Sequence, residues 1–221
     1  MVQESPAVTR RRLIAAWMVT TVAFAVAGSL VAYHLARPAN SNAAPPGLHG
    51  QAVWAEGARA APGFTLRNQE GRMVSLRSLR GRVVLLTFLD SRCTTLCPIE
   101  GALLRRVQDA APPGRRPAIV VVSVNPTDTP GSVRAFVAHR ARWTGRWDWL
   151  MGTKAELKPI WHAYGIEVKA IRRHLAGVTY TDIAHTAALY VIDPAGYERS
   201  GYLMPFLPAQ VTDDVRALAA A

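Results

Sequence analysis

The sequence predicts a mixed α/β domain, a central sheet flanked by helices, and three observations carry that reading. Two nearly continuous apolar runs, 82–89 and 118–124, have the length and the Val, Ile and Leu content of strands buried on both faces. One helical pattern lies between them, which makes a βαβ unit with a parallel strand pair. Turn clusters at 68–71 and 193–196, each between short apolar segments, read as β-hairpins before and after that unit.

The N-terminal residues have a different character. Residues 13–33 contain no Asp, Glu, Lys or Arg over 21 positions. At about 1.5 Å per residue such a helix spans roughly 30 Å, the thickness of a bilayer core. Arg10, Arg11 and Arg12 precede the segment and only Arg37 follows it closely. The positive-inside rule then places 1–12 in the cytoplasm. The expectation is a single-pass protein of the inner (cytoplasmic) membrane, with its C-terminal domain in the periplasm or on the outer face. A cleaved signal peptide is the competing reading, since Ala32 and Ala36 suit a cleavage site. The length of the apolar stretch favours the anchor. Residues 34–59, rich in Pro, Gly, Ala and Asn, read as a linker.

The domain is expected over 60–221. Phe64, Leu66, Met73, Val74 and Leu76 flank the first hairpin turn, and Arg80-Gly81 breaks the chain before the first long strand. A helix over 98–110 ends at Pro112-Pro113-Gly114. After the strand 118–124, Thr129-Pro130 gives an N-cap and first turn for a helix that continues through 133–140. Residues 147–150 suit a short strand or a packed loop, 154–164 a helix and 166–171 a further strand. The strands 187–192 and 197–203 form the second hairpin, and 209–221 is a closing helix. A thioredoxin-like fold suits this order, because a close cysteine pair follows the first long strand.

The formal net charge is +11, with 26 Lys and Arg against 15 Asp and Glu. The basic residues of the domain are spread, in runs no longer than two, without a stripe of interleaved aromatics. Nucleic-acid binding is therefore not expected. An Arg-rich soluble surface accounts for the charge, which also favours acidic partners or anionic lipid headgroups.

The sharpest chemical signal is Cys93-Thr94-Thr95-Leu96-Cys97-Pro98, which holds the only two cysteines. A bridge across three residues constrains the unfolded chain little, so this spacing suits redox or metal chemistry better than a structural staple. The residue before a proline avoids the helical region, which predicts Cys97 as N-cap, Pro98 as the first helical residue and Glu100 at the third position. Ile99, Leu103, Leu104 and Val107 then form the buried face. Both sulfurs would lie near the positive end of the helix dipole, which favours thiolate. Arg92 would add to this if its side chain turns inward. Thiolate serves disulfide exchange and metal ligation alike. Two thiolates are too few for structural zinc, and soft sulfur with one nitrogen suits Cu(I). Among six histidines, His185 stands immediately before the apolar strand 187–192, beside the cysteine loop in a thioredoxin-like sheet. On spacing alone a lone histidine is more often structural or at the surface than a ligand.

Taken together, Phe64-Thr65-Leu66, Leu79-Arg80-Gly81, Cys93 to Pro98, Ser123-Val124-Asn125-Pro126, Tyr164-Gly165-Ile166, His185-Thr186 and Tyr190 to Pro194 resemble the Sco/SenC proteins. These are membrane-anchored, thioredoxin-fold copper chaperones of cytochrome c oxidase assembly. The resemblance implies one copper ion, Cu(I) or Cu(II), bound by Cys93, Cys97 and His185. It implies as partner the copper-bearing oxidase subunit or another copper-trafficking protein. The alternative is a thiol–disulfide oxidoreductase that uses Cys93 and Cys97, perhaps on the oxidase's own copper-site cysteines. The chain departs from the family at Asp90-Ser91-Arg92, where an aromatic-Thr-x sequence is usual, at Asn125, often Asp, and at Ala184, often acidic.

Overall fold

The computed structural model describes residues 47–220. The expected cytoplasmic segment 1–12 and membrane span 13–33 lie outside them. Among the described residues no helix is long and apolar enough to cross a membrane.

The strands are β1 (Ala52–Val53), β2 (Thr65–Arg67), β3 (Met73–Ser75), β4 (Val84–Leu89), β5 (Ala118–Ser123), β6 (Trp147–Leu150), β7 (Val168–Leu175), β8 (Val178–His185), β9 (Ala188–Ile192) and β10 (Glu198–Leu203). The helices are α1 (Leu96–Ala110), α2 (Pro130–Phe136, with a π turn over Val137–Ala141), α3 (Lys154–Ala163) and α4 (Pro208–Ala220). Six strands form the central sheet in the order β1-β10-β9-β4-β5-β6. β4 runs parallel to β5, and β5 to β6, while β9 is antiparallel to β4 and β10 to β9. This is the mixed, thioredoxin-like sheet that the sequence predicts. β2–β3 and β7–β8 are separate two-stranded hairpins.

Every residue of β4 and β5 is buried, as their apolar runs require. Successive side chains point to opposite faces. Leu85 and Leu89 pack with Leu104 of α1 and Val211 of α4. Val84, Leu86 and Phe88 pack with Leu157 and Trp161 of α3 and Leu66 of the first hairpin. Thr87 is the polar exception on β4, and it points toward α1, where it meets Glu100.

The expected linker ends earlier than 59. Ala52 and Val53 pair with Gly201 and Ser200, and the Arg59 guanidinium pairs with buried Glu198 at 2.5 Å. Two strand residues among breakers give no readable period, so this edge strand was invisible in the sequence. The segment is also tied to α4. Buried Asp214 accepts hydrogen bonds from the His49 backbone N–H at 2.9 Å and from the Ser200 and Tyr202 hydroxyls at 2.5 Å each. Asp214→Ala is expected to cost about 2–4 kcal/mol in urea unfolding, because those hydroxyls are buried without another acceptor.

The strand expected at 166–171 is longer and belongs to β7–β8, a hairpin of eight-residue strands that ends by pairing Val168 with His185. Its turn places Ala176 and Gly177 at φ of 49° and 78°. Both central residues of that two-residue turn have positive φ, the requirement that usually selects Asn-Gly.

Candidate functional site

β4 delivers the chain to the site at Leu89. Asp90 follows and is buried. Its Oδ1 accepts from the Arg92 backbone N–H at 2.9 Å and from Asn125 Nδ2 at 3.1 Å. Its carbonyl accepts from the Cys93 N–H at 3.2 Å. Two of the three departures from the family pattern, Asp90 and Asn125, thus contact each other, so they change together what supports the cysteine loop. Ser91 Oγ donates to Asp128 Oδ1 at 2.6 Å, and Ser123 Oγ also hydrogen-bonds Asp128. Burial pushes the Asp128 carboxyl above its ordinary range, and these hydroxyls pull it back.

Arg92 does not turn toward the sulfurs. Its Nη2 donates to the Thr127 carbonyl at 2.7 Å. Arg140 Nη1 donates to the Cys93 carbonyl at 2.7 Å, so the π turn after α2 also braces the loop.

The helix begins two residues before Pro98, with Thr95 as N-cap and Leu96 as the first helical residue. Cys97 is therefore inside the first turn, not the cap. The first four N–H groups of a helix have no intrahelical acceptor, so a proline third in line loses nothing. The shift rotates the expected face. Cys97, Glu100, Gly101, Leu104 and Val107 are buried, whereas Ile99 is 52% exposed. Glu100 points inward under β4 instead of standing at the helix mouth.

Thr95 makes no side-chain cap hydrogen bond. Its hydroxyl lies 3.5 Å from Cys93 Sγ instead. Both cysteines are free thiols. The Cys97 thiol is the main group that lowers Cys93, to about 5, helped by its backbone N–H and by Thr95 and opposed by burial. The same hydrogen bond and burial push Cys97 far up. At neutral pH the pair is a Cys93 thiolate beside a Cys97 thiol.

Iodoacetamide at pH 6 is then expected to label Cys93 and spare Cys97. Against a free thiol of pKa near 8.5, Cys93 gains about 300-fold in thiolate fraction and loses roughly 30-fold in intrinsic nucleophilicity, a net gain of about tenfold. Mass spectrometry of the labelled peptide, with the rate halving near pH 5, checks this.

His185 closes β8, and its Nε2 lies 3.8 Å from Cys97 Sγ across 88 residues of sequence. Its Nδ1 lies 3.1 Å from the Thr186 carbonyl. A carbonyl only accepts, so Nδ1 carries the hydrogen in the neutral ring and Nε2 presents its lone pair to the sulfur. The structure thus brings each of Cys93 and His185 to Cys97. Among the described residues no three His, Cys, Asp or Glu side chains are gathered tightly enough to hold an ion as they stand. Asp182, two positions before Ala184, pairs with Arg173 at 3.5 Å across the hairpin and lines the cleft in front of Cys93.

A cleft of about 880 Å³ opens in front of Cys93. Val124 and Trp161 line its sheet side and Tyr180 and Ile183 of the hairpin its other wall. Sequence reading missed this wall and the inward Glu100. The latter had a signal, since Cys97, Glu100, Leu104 and Val107 share one helical stripe.

Comparisons with known proteins agree with this architecture. The SCO1 protein homolog of Bacillus subtilis (strain 168) is 30% identical over 137 residues, 60% of this chain and 68% of that protein. The structure of Arabidopsis thaliana ScoI with copper bound superposes with a TM-score of 0.63 at 21% identity, over 73% of this chain and 99% of that one. BsSco, described as a member of the Sco family of cytochrome c oxidase assembly proteins with a disulfide switch, gives 0.58 at 26% identity, over 73% and 94%. The family model described as SCO1/SenC matches residues 54–220, from just after the edge strand β1 to the last turn of α4, and the chain belongs to that family.

Proposed function

We propose that this chain binds one copper ion through Cys93, Cys97 and His185 and serves the maturation of the copper site of cytochrome c oxidase. The observation that carries the reading is the 3.8 Å between Cys97 Sγ and His185 Nε2. A metal with bonds of about 2.3 Å to sulfur and 2.0 Å to nitrogen, at a trigonal angle, separates two such donors by about 3.7 Å. Cys93, on the loop ahead of the helix, is the donor that draws in. It is already a thiolate, so its bond needs no proton loss, whereas Cys97 releases its proton on ligation. Two thiolates favour Cu(I), and the imidazole lets Cu(II) bind as well.

The relatives support the same chemistry: one ScoI structure has copper bound, and BsSco belongs to a family of oxidase assembly proteins. Copper is cargo in this reading. The cleft before Cys93 gives an incoming ligand of the oxidase's copper-bearing subunit, or of another copper-trafficking protein, a path to one sulfur. The apolar segment 13–33 and its arginines support a single membrane anchor, with the domain on the outer face of the cytoplasmic membrane.

One observation favours a second reading. The split acidities of Cys93 and Cys97 are those of an attacking thiolate and a buried resolving thiol. A thiol–disulfide oxidoreductase would use them to reduce the oxidase's copper-site cysteines, and the disulfide switch of BsSco supports this alternative. Titrating Cu(I) into the reduced full-length chain is expected to saturate at one ion per chain. A chain that binds no copper at that ratio, yet cycles reversibly between dithiol and disulfide, leaves only the second reading.

A further inference from the structure

Four arginines meet at the end of the sheet away from the cysteines. Arg80 and Arg82 lead into β4, Arg115 and Arg116 lead into β5, and together they line a cleft of about 440 Å³. β4 starts beside this cleft and ends at the cysteine loop, so its six residues separate the two sites by roughly 20 Å. Among the described residues no Asp or Glu lines the cleft. Among the described residues none of the four guanidinium groups forms an ion pair, although nine other basic side chains do.

Two of the four lie against the fold. The Arg80 guanidinium lies flat on the turn between β9 and β10, where a Cβ on Gly196 would stand 2.6 Å from its Cζ. Gly196 has φ of 82°, so the turn itself requires glycine, and its bare backbone leaves room for the Arg80 head group. The Gly81 N–H donates to the Pro194 carbonyl at 2.9 Å and locks the two loops together. Arg116 Nε is buried and has no hydrogen-bond partner. A buried donor left unfilled is costly, as is the gathering of four like charges, and a single anion relieves both. The opposing field is the C-terminal end of α4 at Ala219, worth about half a negative charge.

We propose that this cleft binds a phosphate group, either free phosphate or the headgroup of an anionic phospholipid. Guanidinium forks match phosphate oxygens two at a time, which an ammonium does not. Part of the +11 charge thereby has a specific use. The proposal is independent of copper.

The test follows the arginine Nε–H resonances of the full-length chain in zwitterionic detergent during titration with inorganic phosphate. The Arg116 signal is expected to shift and saturate, and Arg82→Glu with Arg115→Glu to weaken that binding at least tenfold while copper titration stays unchanged. Both positions are exposed, so the double variant keeps its core; should it unfold, Arg82→Gln with Arg115→Gln replaces it. A second arm places the chain in nanodiscs of phosphatidylcholine with or without phosphatidylglycerol, in phosphate-free buffer. A shift with inorganic phosphate assigns the free anion, and a shift only with phosphatidylglycerol assigns the headgroup. The proposal falls if neither moves the Arg116 signal, if chloride at equal ionic strength moves it as far, or if the double variant binds like the wild type.

Discussion

Cys97→Ser is expected to weaken copper binding by more than 100-fold, and His185→Ala to remove Cu(II) binding while leaving a weaker Cu(I) complex. Residues that only orient metal ligands change affinity by about 10–100-fold, so loss of a ligand should exceed that range. In the proposed site Cys97 is the central donor, since it stands beside both Cys93 and His185. Its serine replacement leaves a hard hydroxyl where the other two donors converge. His185 would supply that site's one nitrogen, the ligand that Cu(II) prefers and Cu(I) needs less. Competition with a Cu(I) chelator and the sulfur-to-Cu(II) absorption band measure the two effects separately. If His185→Ala leaves the Cu(II) band and affinity unchanged, the three-donor site is wrong.

Glu100→Gln is expected to reverse the sign of the chain's stability-versus-pH slope. Glu100 is 1% exposed and contacts the Thr87 hydroxyl. That hydroxyl has one hydrogen, and it lies 3.0 Å from the Ala188 carbonyl, which can only accept. That single hydrogen cannot satisfy the carboxylate and the carbonyl at once, so a charged Glu100 is only partly compensated for its burial. Burial first, and the negative charge of Cys93, push its pKa up to about 8, against the pull of Thr87. The folded chain therefore keeps a proton between about pH 4.5 and 8 that the unfolded chain has lost. Stability from this group is full below the unfolded value and is lost as pH rises through the folded one, by up to about 1.4 kcal/mol per pH unit.

Cys93 acts in the opposite sense. Its folded pKa is depressed from 9.0 to about 5, so its contribution is present at high pH and lost as pH falls through the folded value. Solvent screening makes this half-buried term the smaller one. The reduced, metal-free wild type should lose stability gently from pH 5 to 8. Glu100→Gln removes the falling term and leaves the rise, and Cys93→Ser leaves the steeper fall. Urea unfolding at three pH values across that window distinguishes these slopes, and parallel slopes in all three chains would sink the assignment.

What the sequence reveals follows from how each element is stabilised. β4 and β5 were legible because a strand buried on both faces must be apolar throughout. The ends of α1 were less so. Pro98 signals a helix start, but three positions satisfy the same rule, and the one adopted is set by packing of Cys97 and Leu104 under the sheet. Only the first half of β7 was legible; β8 escaped because it is almost wholly exposed and shows no sustained alternation of apolar and polar residues. The partnership of Asp90 with Asn125 spans 35 residues, a separation that no local pattern reports.

The long interval between Cys97 and His185 has a consequence for chain entropy. In an unfolded chain, bringing ends 88 residues apart together costs about 4 kcal/mol by the logarithmic closure law, close to a thousandfold in effective concentration. The native hydrogen bonds of β8 and β9 have already met that cost. A chain leaving its site of synthesis N-terminus first exposes both sulfurs before His185 exists, and can then offer an ion only two donors. The proposed ligand set would therefore be complete only once the last strands of the sheet have formed, so tight retention of an ion there would report that folding is complete.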